Sequence, residues 1–590
     1  MVSVFRATKK IWKLLNGNQK RTAVVLAFMM LIGGVMESIG VSLILPLISA
    51  VMDEGDWQNK WYAKAICHFF NINTITQYIQ ILLVLLIAVF MIKNLYLLLE
   101  YYVQYSFICK SRYVMQRKLM AGYMNKPYVE YLSANSGEII RVVTQDTVQT
   151  FALLTSLLMF YTELVVSVVL SITIFFMSPH MAIWILLALI IELFFITKII
   201  RPIMQAAGKT VRSESGAANK WIIQSVNGIK SIKVADCEEF FEKKYSRHAL
   251  NAVEKEKVFQ TLNNSPRLII EALTVSAALF VIILMVGGGT ELNVIIPQLS
   301  ALVMAAMRLL PSTSRMGSSI TSIPYYEGGL DNVSAVINGD LFNNCEAGEL
   351  KQKNDEICFD KSLSLHNVTF AFPNSNKKIF DCANVKIKAG EAVGIIGPSG
   401  GGKTTCVDII LGLLEPSEGE VLVDGINIAN DMKGWLEKVA YIPQNIFLMD
   451  DSVLANVAFG CELENIDEKK AWEVLKEAQL EDFVKELPNG IYTEVGEQGV
   501  RLSGGQKQRI GIARALYNAP KVLFFDEATS ALDNDTEASI MKAIDGLKGK
   551  VTMVIVAHRL TTISNCDVVY RVQDGKIERA NSEEIHIDME

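Results

Sequence analysis

The sequence has few cysteines and no paired-cysteine motif. Nine cysteines are scattered over 590 residues without a CxxC pair, and all but Cys67 fall in segments that are predicted below to be cytosolic or at the inner membrane edge. This pattern argues against a disulfide framework and a zinc site. The net charge of -6 is modest and gives no indication of nucleic-acid binding.

Long apolar runs fill the first half of the chain and are rare in the second half. Hydrophobic residues make up 51% of the sequence, and their asymmetry predicts a membrane half followed by a soluble half. A membrane-spanning helix needs about 20 predominantly apolar residues. We therefore predict six spans, at residues 22–52, 77–108, 146–177, 181–203, 265–287 and 292–312.

The N-terminal region combines basic and apolar residues. The first span continues for about thirty residues without a small-residue cleavage pattern, so we predict that it stays in the protein and is not a signal peptide. Before it, Phe5, Ile11 and Trp12 alternate with Lys9 and Lys10. This mixture predicts an amphipathic helix on the inner membrane surface, and a solvated basic leader is the alternative.

Lysine and arginine are unevenly distributed between the predicted loops. Residues 109–145 and 204–260 are dense in both, whereas the turn SPHM (178–181) and the loop VGGGTELN (286–293) contain neither. The positive-inside rule then places both termini in the cytosol and residues 53–76 outside.

From residue 357 the pattern changes to short β runs and amphipathic helices, after a polar stretch that is typical of a linker. The strand AVGIIG leads into GPSGGGKTT (397–405), which fits the phosphate-binding pattern GxxxxGK[ST] between a strand and a helix. Glycines let backbone N–H groups approach phosphate oxygens, and the helix N-terminus adds partial positive charge. We expect Lys403 to reach the β and γ phosphates of ATP, and Thr404 to bind Mg²⁺.

Two further strands end in residues suited to phosphoryl chemistry. KVLFFDEATSALD (521–533) delivers Asp526 toward the metal and Glu527 toward the attacking water, as its general base. VTMVIVAHR (551–559) ends in His558, which is placed to touch the γ-phosphate. The predicted reaction is ATP hydrolysis, in which Lys403 and His558 stabilise the charge of the transferring group.

The segment RLSGGQKQR (501–509) resembles the LSGGQ signature of the ATP-binding cassette (ABC) transporters. The resemblance implies that Gln444 of YIPQ joins Mg²⁺ to the membrane domain, and that Phe372 replaces the usual tyrosine that stacks on adenine. The expected ATP ligands are Phe372, Gly397, Ser399, Gly400, Gly402, Lys403, Thr404, Thr405, Gln444, Ser503, Gly504, Gly505, Gln506 and Asp526. Among them Thr404, Gln444 and Asp526 are the expected metal ligands, and Glu527, His558 and Lys403 are the expected catalytic residues.

The same resemblance implies a head-to-tail dimer, with each ATP between one P-loop and the signature residues of the partner subunit. One six-span domain and one cassette make the chain a half-transporter, most simply a homodimer; a heterodimer stays open. The membrane domain precedes the cassette on one chain, as in exporters. Residues around 130–142 and 217–229 would correspond to the coupling helices. The expected fold is a polytopic α-helical membrane domain of exporter type fused to an α/β P-loop nucleotide-binding domain. Its expected parts are an amphipathic helix (1–20), a transmembrane domain (21–325), a linker (326–356) and a cassette (357–590).

Three cations lie inside predicted spans at a similar depth. At 1.5 Å per residue from the outer end of each span, Lys93 and Arg308 lie ~24 Å and Arg267 ~30 Å along their helices. A cation that faces lipid at the membrane centre costs about 3 kcal/mol, so we expect these three to face a polar cavity or a partner. The alternatives are snorkelling to the inner interface and pairing of Arg267 with Glu271.

Four segments together resemble the bacterial lipid-linked oligosaccharide flippases: VMESIGVSLILPLIS (35–49), SPRLIIEAL (265–273), MRLLPSTSR (307–315) and YIPQNIFLMDDS (441–452). This resemblance implies that Lys93, Arg267 and Arg308 contact the pyrophosphate of a polyprenyl-linked oligosaccharide. The glycolipid would move from the inner to the outer leaflet of a bacterial cytoplasmic membrane, and residues 53–76 would hold its lipid tail.

Two other functions stay open. An exporter of small peptides or hydrophobic drugs has the same architecture, and acidic residues within the spans would suit cationic cargo: Glu37, Glu163, Glu192 and Glu271. An ATP-gated channel or regulator is less favoured, because such proteins often have degenerate cassettes and this one keeps Glu527 and a full LSGGQ.

Overall fold

The computed structural model describes residues 2–42, 64, 68, 70, 74–132, 135–177, 191, 194–287, 292–339, 357–373, 375, 377–526, 544–556, 563 and 566–580. The chain divides into two compact units. The first consists of Met1–Lys126 and Ser133–Gly348, and the second of Pro127–Leu132 and Glu349–Glu590.

The regular elements among the described residues of the first unit are all helices. Its helices are α1 (Val2–Leu14), α2 (Gly17–Ser42), α3 (Ile75–Met124), α5 (Ser136–Arg141), α6 (Thr147–Met177), α7 (Arg201–Asn227), α8 (Ile229–Val234), α9 (Glu238–Gly287) and α10 (Leu292–Asn338). Two π-helical turns, Val142–Asp146 and Ile196–Ile200, lead into α6 and α7. Three described stretches are long and apolar enough to cross a membrane: Gly17–Met36, Ile75–Met124 and Ser136–Val169.

Four of the six predicted spans fall on these helices, and the first span is described as helix only as far as Ser42. Most of the fourth span, 181–203, and most of the predicted external segment 53–76 lie outside the described residues. Helices α3 and α9 have 50 residues each. At 1.5 Å per residue each is about 75 Å long, more than twice the ~30 Å hydrocarbon thickness of a bilayer. Both helices must therefore continue well beyond the membrane.

Helix α10 also continues past the predicted end of the membrane domain. It ends at Asn338, so the first part of the predicted linker 326–356 is helical. The reason is apolar packing, because Leu330 and Val333 are fully buried in the same cluster as Leu153 of α6. At Gly208, α7 approaches α10 so closely that an added Cβ would lie 2.3 Å from the carbonyl oxygen of Tyr325.

The second unit contains two sheets. The strands are β1 (Ser362–Ala371), β2 (Lys378–Lys388), β3 (Ala392–Ile396), β4 (Glu418–Val423), β5 (Ile426–Asn427), β6 (Val439–Ile442), β7 (Val522–Asp526), β8 (Thr552–Val556), β9 (Val568–Gln573) and β10 (Lys576–Arg579). One sheet has the order β2-β1-β4-β5, and the other has the order β10-β9-β3-β8-β7-β6. Strands β3, β8, β7 and β6 are parallel neighbours, so their carboxyl ends meet at one edge. All residues of β3, β7 and β8 are buried, as expected for a parallel sheet that is covered on both faces.

The helices of the second unit are α11 (Lys403–Ile410), α12 (Met432–Leu436), α13 (Val453–Val457), α14 (Glu468–Glu477), α15 (Glu481–Glu486) and α16 (Gly504–Tyr517). The short helix α4 (Tyr128–Tyr131) also belongs to this unit, although the segments on either side of it belong to the first. Val129 packs against the apolar cluster that contains β1 and β3. Of the predicted coupling element at 130–142, residues 130–132 belong to the second unit together with the rest of Pro127–Leu132, whereas Ser136–Arg141 belongs to the first unit.

Candidate nucleotide-binding site and membrane cations

The loop between β3 and α11 has a backbone that only glycine adopts easily. Gly397 has φ +148°, and an added Cβ would lie 2.3 Å from the carbonyl oxygen of Val572. Gly402 has φ +103° at the N-cap of α11, where a Cβ would lie 2.8 Å from Ile379. These positions allow the loop to curl over the end of β3 and to present backbone N–H groups to an anion.

Lys403 is held inside this loop. Its side chain is 5% exposed, and Nζ donates hydrogen bonds to the carbonyl oxygens of Gly397 (2.8 Å) and Pro398 (3.2 Å). These contacts fix a buried ammonium group at the loop where the sequence predicts phosphate binding. Ser399 and Gly400 are exposed at the tip of the same loop.

Asp526 lies at the carboxyl end of β7 and is held from two sides. Thr404 Oγ1 donates to Asp526 Oδ1 at 3.4 Å, and Tyr441 Oη donates to Asp526 Oδ2 at 3.2 Å. The two predicted metal ligands Thr404 and Asp526 are therefore adjacent. A hydroxyl and a carboxylate are the oxygen ligands that Mg²⁺ prefers, so these side chains fit the ion.

Tyr441 is a site residue that the sequence reasoning missed. It lies on β6 opposite Phe524 of β7, which puts Asp526 two residues further along the same face. Burial and the charge of Asp526 raise the pKa of the Tyr441 phenol, so the group stays protonated and remains a donor. The tyrosine in the YIPQ segment was a visible signal, but its partner depends on the strand register.

Asp408 adds a second carboxyl group close to Asp526, one turn beyond Thr404 on α11. Burial and the neighbouring charge of Asp526 raise the pKa of Asp408 to about 6. Burial and the charge of Asp408 also raise the pKa of Tyr128 on α4. Helix α4 is thus electrostatically coupled to the helix that begins at the P-loop.

The LSGGQ segment forms the start of α16. Ser503 is its N-cap: Ser503 Oγ accepts from the Gln506 backbone N–H at 3.3 Å, and Gln506 Oε1 accepts from the Ser503 backbone N–H at 2.8 Å. Ser503 and Gly504 are exposed, whereas Gly505 is buried. The result is a capped and solvent-facing helix N-terminus, which has partial positive charge.

Arg514, near the end of α16, ties this helix to the segment that follows Gln444. Its guanidinium donates to the carbonyl oxygens of Phe447 (2.7 Å) and Asn456 (2.8 Å) and stacks over the ring of Phe459. Burial lowers the pKa of Arg514 to about 10, so the side chain keeps its charge at neutral pH. Gln444 itself is exposed just beyond β6.

Phe372 follows β1 and is half-buried. Its ring makes an edge contact with Phe370, with the ring centroids 5.1 Å apart. Glu527, His558 and the remaining residues of the 521–533 segment after Asp526 lie outside the described residues. The strands that lead to the first two are described, since β7 ends at Asp526 and β8 ends at Val556.

The three predicted membrane cations have different surroundings. Lys93 on α3 is 6% exposed, and its Nζ lies 4.8 Å from the ring centroid of Phe90. Its side chain is therefore covered by protein. Arg267 on α9 is exposed and, within the described part of α9, forms no ion pair with Glu271. Arg308 belongs to α10, but its side chain lies outside the described residues.

A partly buried ion pair joins α6 and α10, and it was not predicted. Both carboxylate oxygens of Glu163 bind Arg315: Oε1 accepts from Nε, and Oε2 accepts from Nη2 at 3.2 Å. Ser312 Oγ also donates to Glu163 Oε2 at 2.6 Å and lies 3.1 Å from Ser167 Oγ. Glu163 is buried, whereas the side chain of Arg315 is 39% exposed.

Comparison with known proteins identifies both units. Residues 23–307 match the ABC transporter transmembrane region, and residues 380–530 match the ABC transporter family. The chain is 29% identical to the ATP-dependent lipid A-core flippase of Methylobacillus flagellatus over 66% of this chain and 64% of that protein. It is 40% identical to the protein of the same name in Francisella novicida over 37% of this chain and 36% of that protein. The matched stretches thus span less than two thirds of these relatives.

A solved structure, that of a bacterial Atm1-family ABC exporter with ATP bound, has the same fold. Its TM-score is 0.73 at 24% sequence identity, and the match covers 97% of this chain and 96% of that one. The predicted fold class is confirmed: a helical exporter-type membrane domain precedes an α/β nucleotide-binding domain. This chain therefore belongs to the ABC transporters, as a half-transporter of the exporter type whose cassette is an ATPase domain.

Proposed function

We propose that this protein is an ATP-driven translocase that moves an anionic, polyprenyl-pyrophosphate-linked oligosaccharide from the inner to the outer leaflet of a bacterial cytoplasmic membrane. The observation that carries the ATPase part is the convergence of Lys403, Thr404 and Asp526 at one edge of the cassette sheet. A fixed cation, a hydroxyl and a carboxylate at the mouth of a glycine loop are what MgATP requires.

The roles of the cassette residues follow from their chemistry. Thr404, Asp526 and Gln444 would hold Mg²⁺, which neutralises phosphate charge when it is bound. Lys403 leaves its loop carbonyls for the β and γ phosphates. Glu527, which directly follows Asp526, takes the proton of the attacking water, and His558 stabilises the γ-phosphate from the neighbouring strand β8.

A dimer is supported by surfaces that a single chain leaves exposed. The N-terminus of α16 faces solvent with its cap formed, ready for the γ-phosphate of an ATP on the partner subunit. Apolar side chains are also exposed on α7, α8 and the start of α9, among them Val226, Val234 and Phe240. An exposed apolar cluster of this kind marks a protein interface, and a second copy of this chain is the simplest partner.

The substrate assignment rests on arginine side chains of the membrane domain. Arg267 is exposed on α9, and Arg308 lies two helical turns before Arg315 on α10. The side chain of Arg315 is partly exposed while Glu163 fixes its orientation. Arginine can bind phosphate oxygens through two hydrogen bonds, so these arginine residues suit a pyrophosphate ligand. The names of the flippase relatives also refer to a lipid substrate.

The alternative is an exporter of small peptides or hydrophobic drugs. It relies on acidic residues in the spans, but the charge of Glu163 is already compensated by Arg315, and Ser312 donates a hydrogen bond to it. Glu271 is exposed on α9, and the side chains of Glu37 and Glu192 lie outside the described residues. An ATP-gated channel or regulator remains the third and least favoured function.

The test uses the full chain in proteoliposomes. Polyprenyl-pyrophosphate glycans should stimulate ATP hydrolysis, whereas cationic peptides and hydrophobic dyes should not. Replacing Arg267 and Arg308 together by Ala should abolish glycolipid flipping and its stimulation while basal hydrolysis persists. Lys255→Ala is the matched control, because it removes an exposed cation from the cytosolic part of the same helix α9. Stimulation by peptides or dyes alone would contradict the substrate assignment.

The catalytic part is tested separately. Glu527→Gln should bind ATP with unchanged affinity and stop turnover, because the amide cannot accept the proton of water. Normal hydrolysis by this variant would show that Glu527 is not the base.

A further inference from the structure

Among the described residues, helix α1 packs against the first unit through one face. Val4, Ala7 and Ile11 are buried against the same cluster as residues of α6 and α10. Two polar contacts strengthen the attachment: Thr8 Oγ1 lies 3.0 Å from Tyr161 Oη, and Lys10 Nζ lies 2.5 Å from Asp331 Oδ1. The position of α1 on the protein is therefore fixed, and its remaining faces point away from the bundle.

The outward flank of α1 exposes two large aromatic side chains. Phe5 is 72% exposed and Trp12 is 43% exposed. They are seven residues apart, which is close to two helical turns, so both lie on the same side. Lys9, Lys13 and Arg6 are exposed on the adjacent strip of the helix. An aromatic edge beside a cationic edge is the pattern of a helix that lies in a membrane interface.

The position of α1 in the chain agrees with that reading. Helix α2 begins at Gly17, and Gly17–Met36 is long and apolar enough to cross a membrane. The charge is entirely of one sign: Arg6, Lys9, Lys10, Lys13, Lys20 and Arg21 precede the first acidic residue, Glu37. Within the described part of the chain, Lys10 is the one cation of this set that forms an ion pair, with Asp331.

We propose that the outward face of α1 is a binding surface for anionic phospholipids of the leaflet in which α2 begins. Phe5 and Trp12 enter the boundary between headgroups and acyl chains, and Arg6, Lys9 and Lys13 bind lipid phosphates. An anionic leaflet matches both groups of side chains, because its acyl chains accommodate the aromatic rings and its negatively charged headgroups attract the basic residues. This surface does not use any residue of the proposed ATP or glycolipid sites.

The first experiment measures lipid retention. The full-length protein is placed in nanodiscs of phosphatidylcholine with or without phosphatidylglycerol, and the lipids that stay bound after gentle release are counted by native mass spectrometry. Each surface cation is worth about fivefold in attraction to an anionic leaflet. The combined variant Arg6→Gln, Lys9→Gln, Lys13→Gln should therefore lose at least about tenfold of the preference for phosphatidylglycerol.

A matched control removes three exposed cations from the cassette instead: Lys469→Gln, Lys476→Gln, Lys550→Gln. It should keep the wild-type preference. An equal preference for phosphatidylglycerol in both triple variants would overturn the proposal. If the α1 variant does not fold, the pair Lys9→Gln, Lys13→Gln is measured in its place and should show a smaller loss of the same sign.

The second experiment distinguishes lipid from a protein partner on the same face. Brominated phosphatidylglycerol and brominated phosphatidylcholine quench tryptophans that touch acyl chains. The difference in quenching between the wild type and Trp12→Phe reports Trp12 alone. We expect a measurable Trp12 contribution that is larger with the brominated anionic lipid. Absence of quenching at Trp12 would mean that another protein segment or solvent covers this flank, and would overturn the proposal.

Discussion

Tyr441→Phe should weaken metal-dependent ATP hydrolysis without damaging the cassette core. The substitution removes only the hydroxyl that donates to Asp526 Oδ2 at 3.2 Å and keeps the ring. The ring packs beside the apolar cluster that contains Phe524 and Val554, so the fold should tolerate phenylalanine. What is lost is the contact that holds one oxygen of Asp526 while the other lies 3.4 Å from Thr404 Oγ1.

The size of the effect follows from the charge of the acceptor. A hydrogen bond to a charged group contributes about 1.5–3 kcal/mol. Tyr441 is only partly buried, so we expect the lower end, about 1.5 kcal/mol, which corresponds to roughly tenfold. This loss should appear as a roughly tenfold rise in the Mg²⁺ concentration needed for half-maximal hydrolysis, or as an equal fall in kcat.

The assay titrates Mg²⁺ at saturating ATP, and separately measures binding of a fluorescent ATP analogue without divalent metal. Metal-free binding should not change, because Tyr441 acts through Asp526 and not on the nucleotide. Tyr570→Phe is the matched control: it also removes a tyrosine hydroxyl of the same sheet, whose Oη donates to the carbonyl oxygen of Lys386 at 2.8 Å. If the two variants had the same Mg²⁺ dependence, Tyr441 would have no positioning role.

Three other substitutions test separate features. Glu163→Gln should lower the free energy of unfolding by about 2 kcal/mol, because Arg315 loses its charged partner but keeps some contact with solvent. In thermal unfolding, the double variant Glu163→Gln, Arg315→Gln should be more stable than Glu163→Gln alone. If the double variant were equally or less stable, the two side chains would not be coupled. Phe372→Ala should weaken ATP binding about tenfold through lost stacking, measured by fluorescence titration, whereas Phe372→Tyr should bind normally. Gly402→Ala should lower thermal stability and phosphate binding together, because a Cβ at φ +103° would press on Ile379; unchanged ATP affinity would contradict the geometry.

Local patterns in the sequence were sufficient for the P-loop and for the fold class. Glycine spacing, the apolar strand before it and the helix after it specify one loop geometry, and the structure shows Lys403 held within that loop. The membrane half was equally visible, because spanning helices require long apolar runs that few other structures use.

Contacts between distant elements could not be predicted in the same way. Glu163 and Arg315 are 152 residues apart, and their meeting depends on the rotation of two packed helices, which apolar periodicity does not determine to one residue. Tyr441 and Asp526 depend likewise on the register of β6 against β7. The depth of Lys93 along its span and the flippase resemblance do not specify which way its side chain points, and the structure buries that side chain. The assignment of α4 to the cassette unit required packing information as well, since its four residues contain no strong helix signal.

The length of α3 has a mechanical consequence. This helix of 50 residues ends at Met124, only a few peptide bonds before the α4 segment that belongs to the cassette unit. If a helix of about 75 Å stays straight, a rotation of about 5° about one end displaces the other end by about 7 Å. A small rotation at the end of α3 near Met124 would therefore displace its other end by several ångströms.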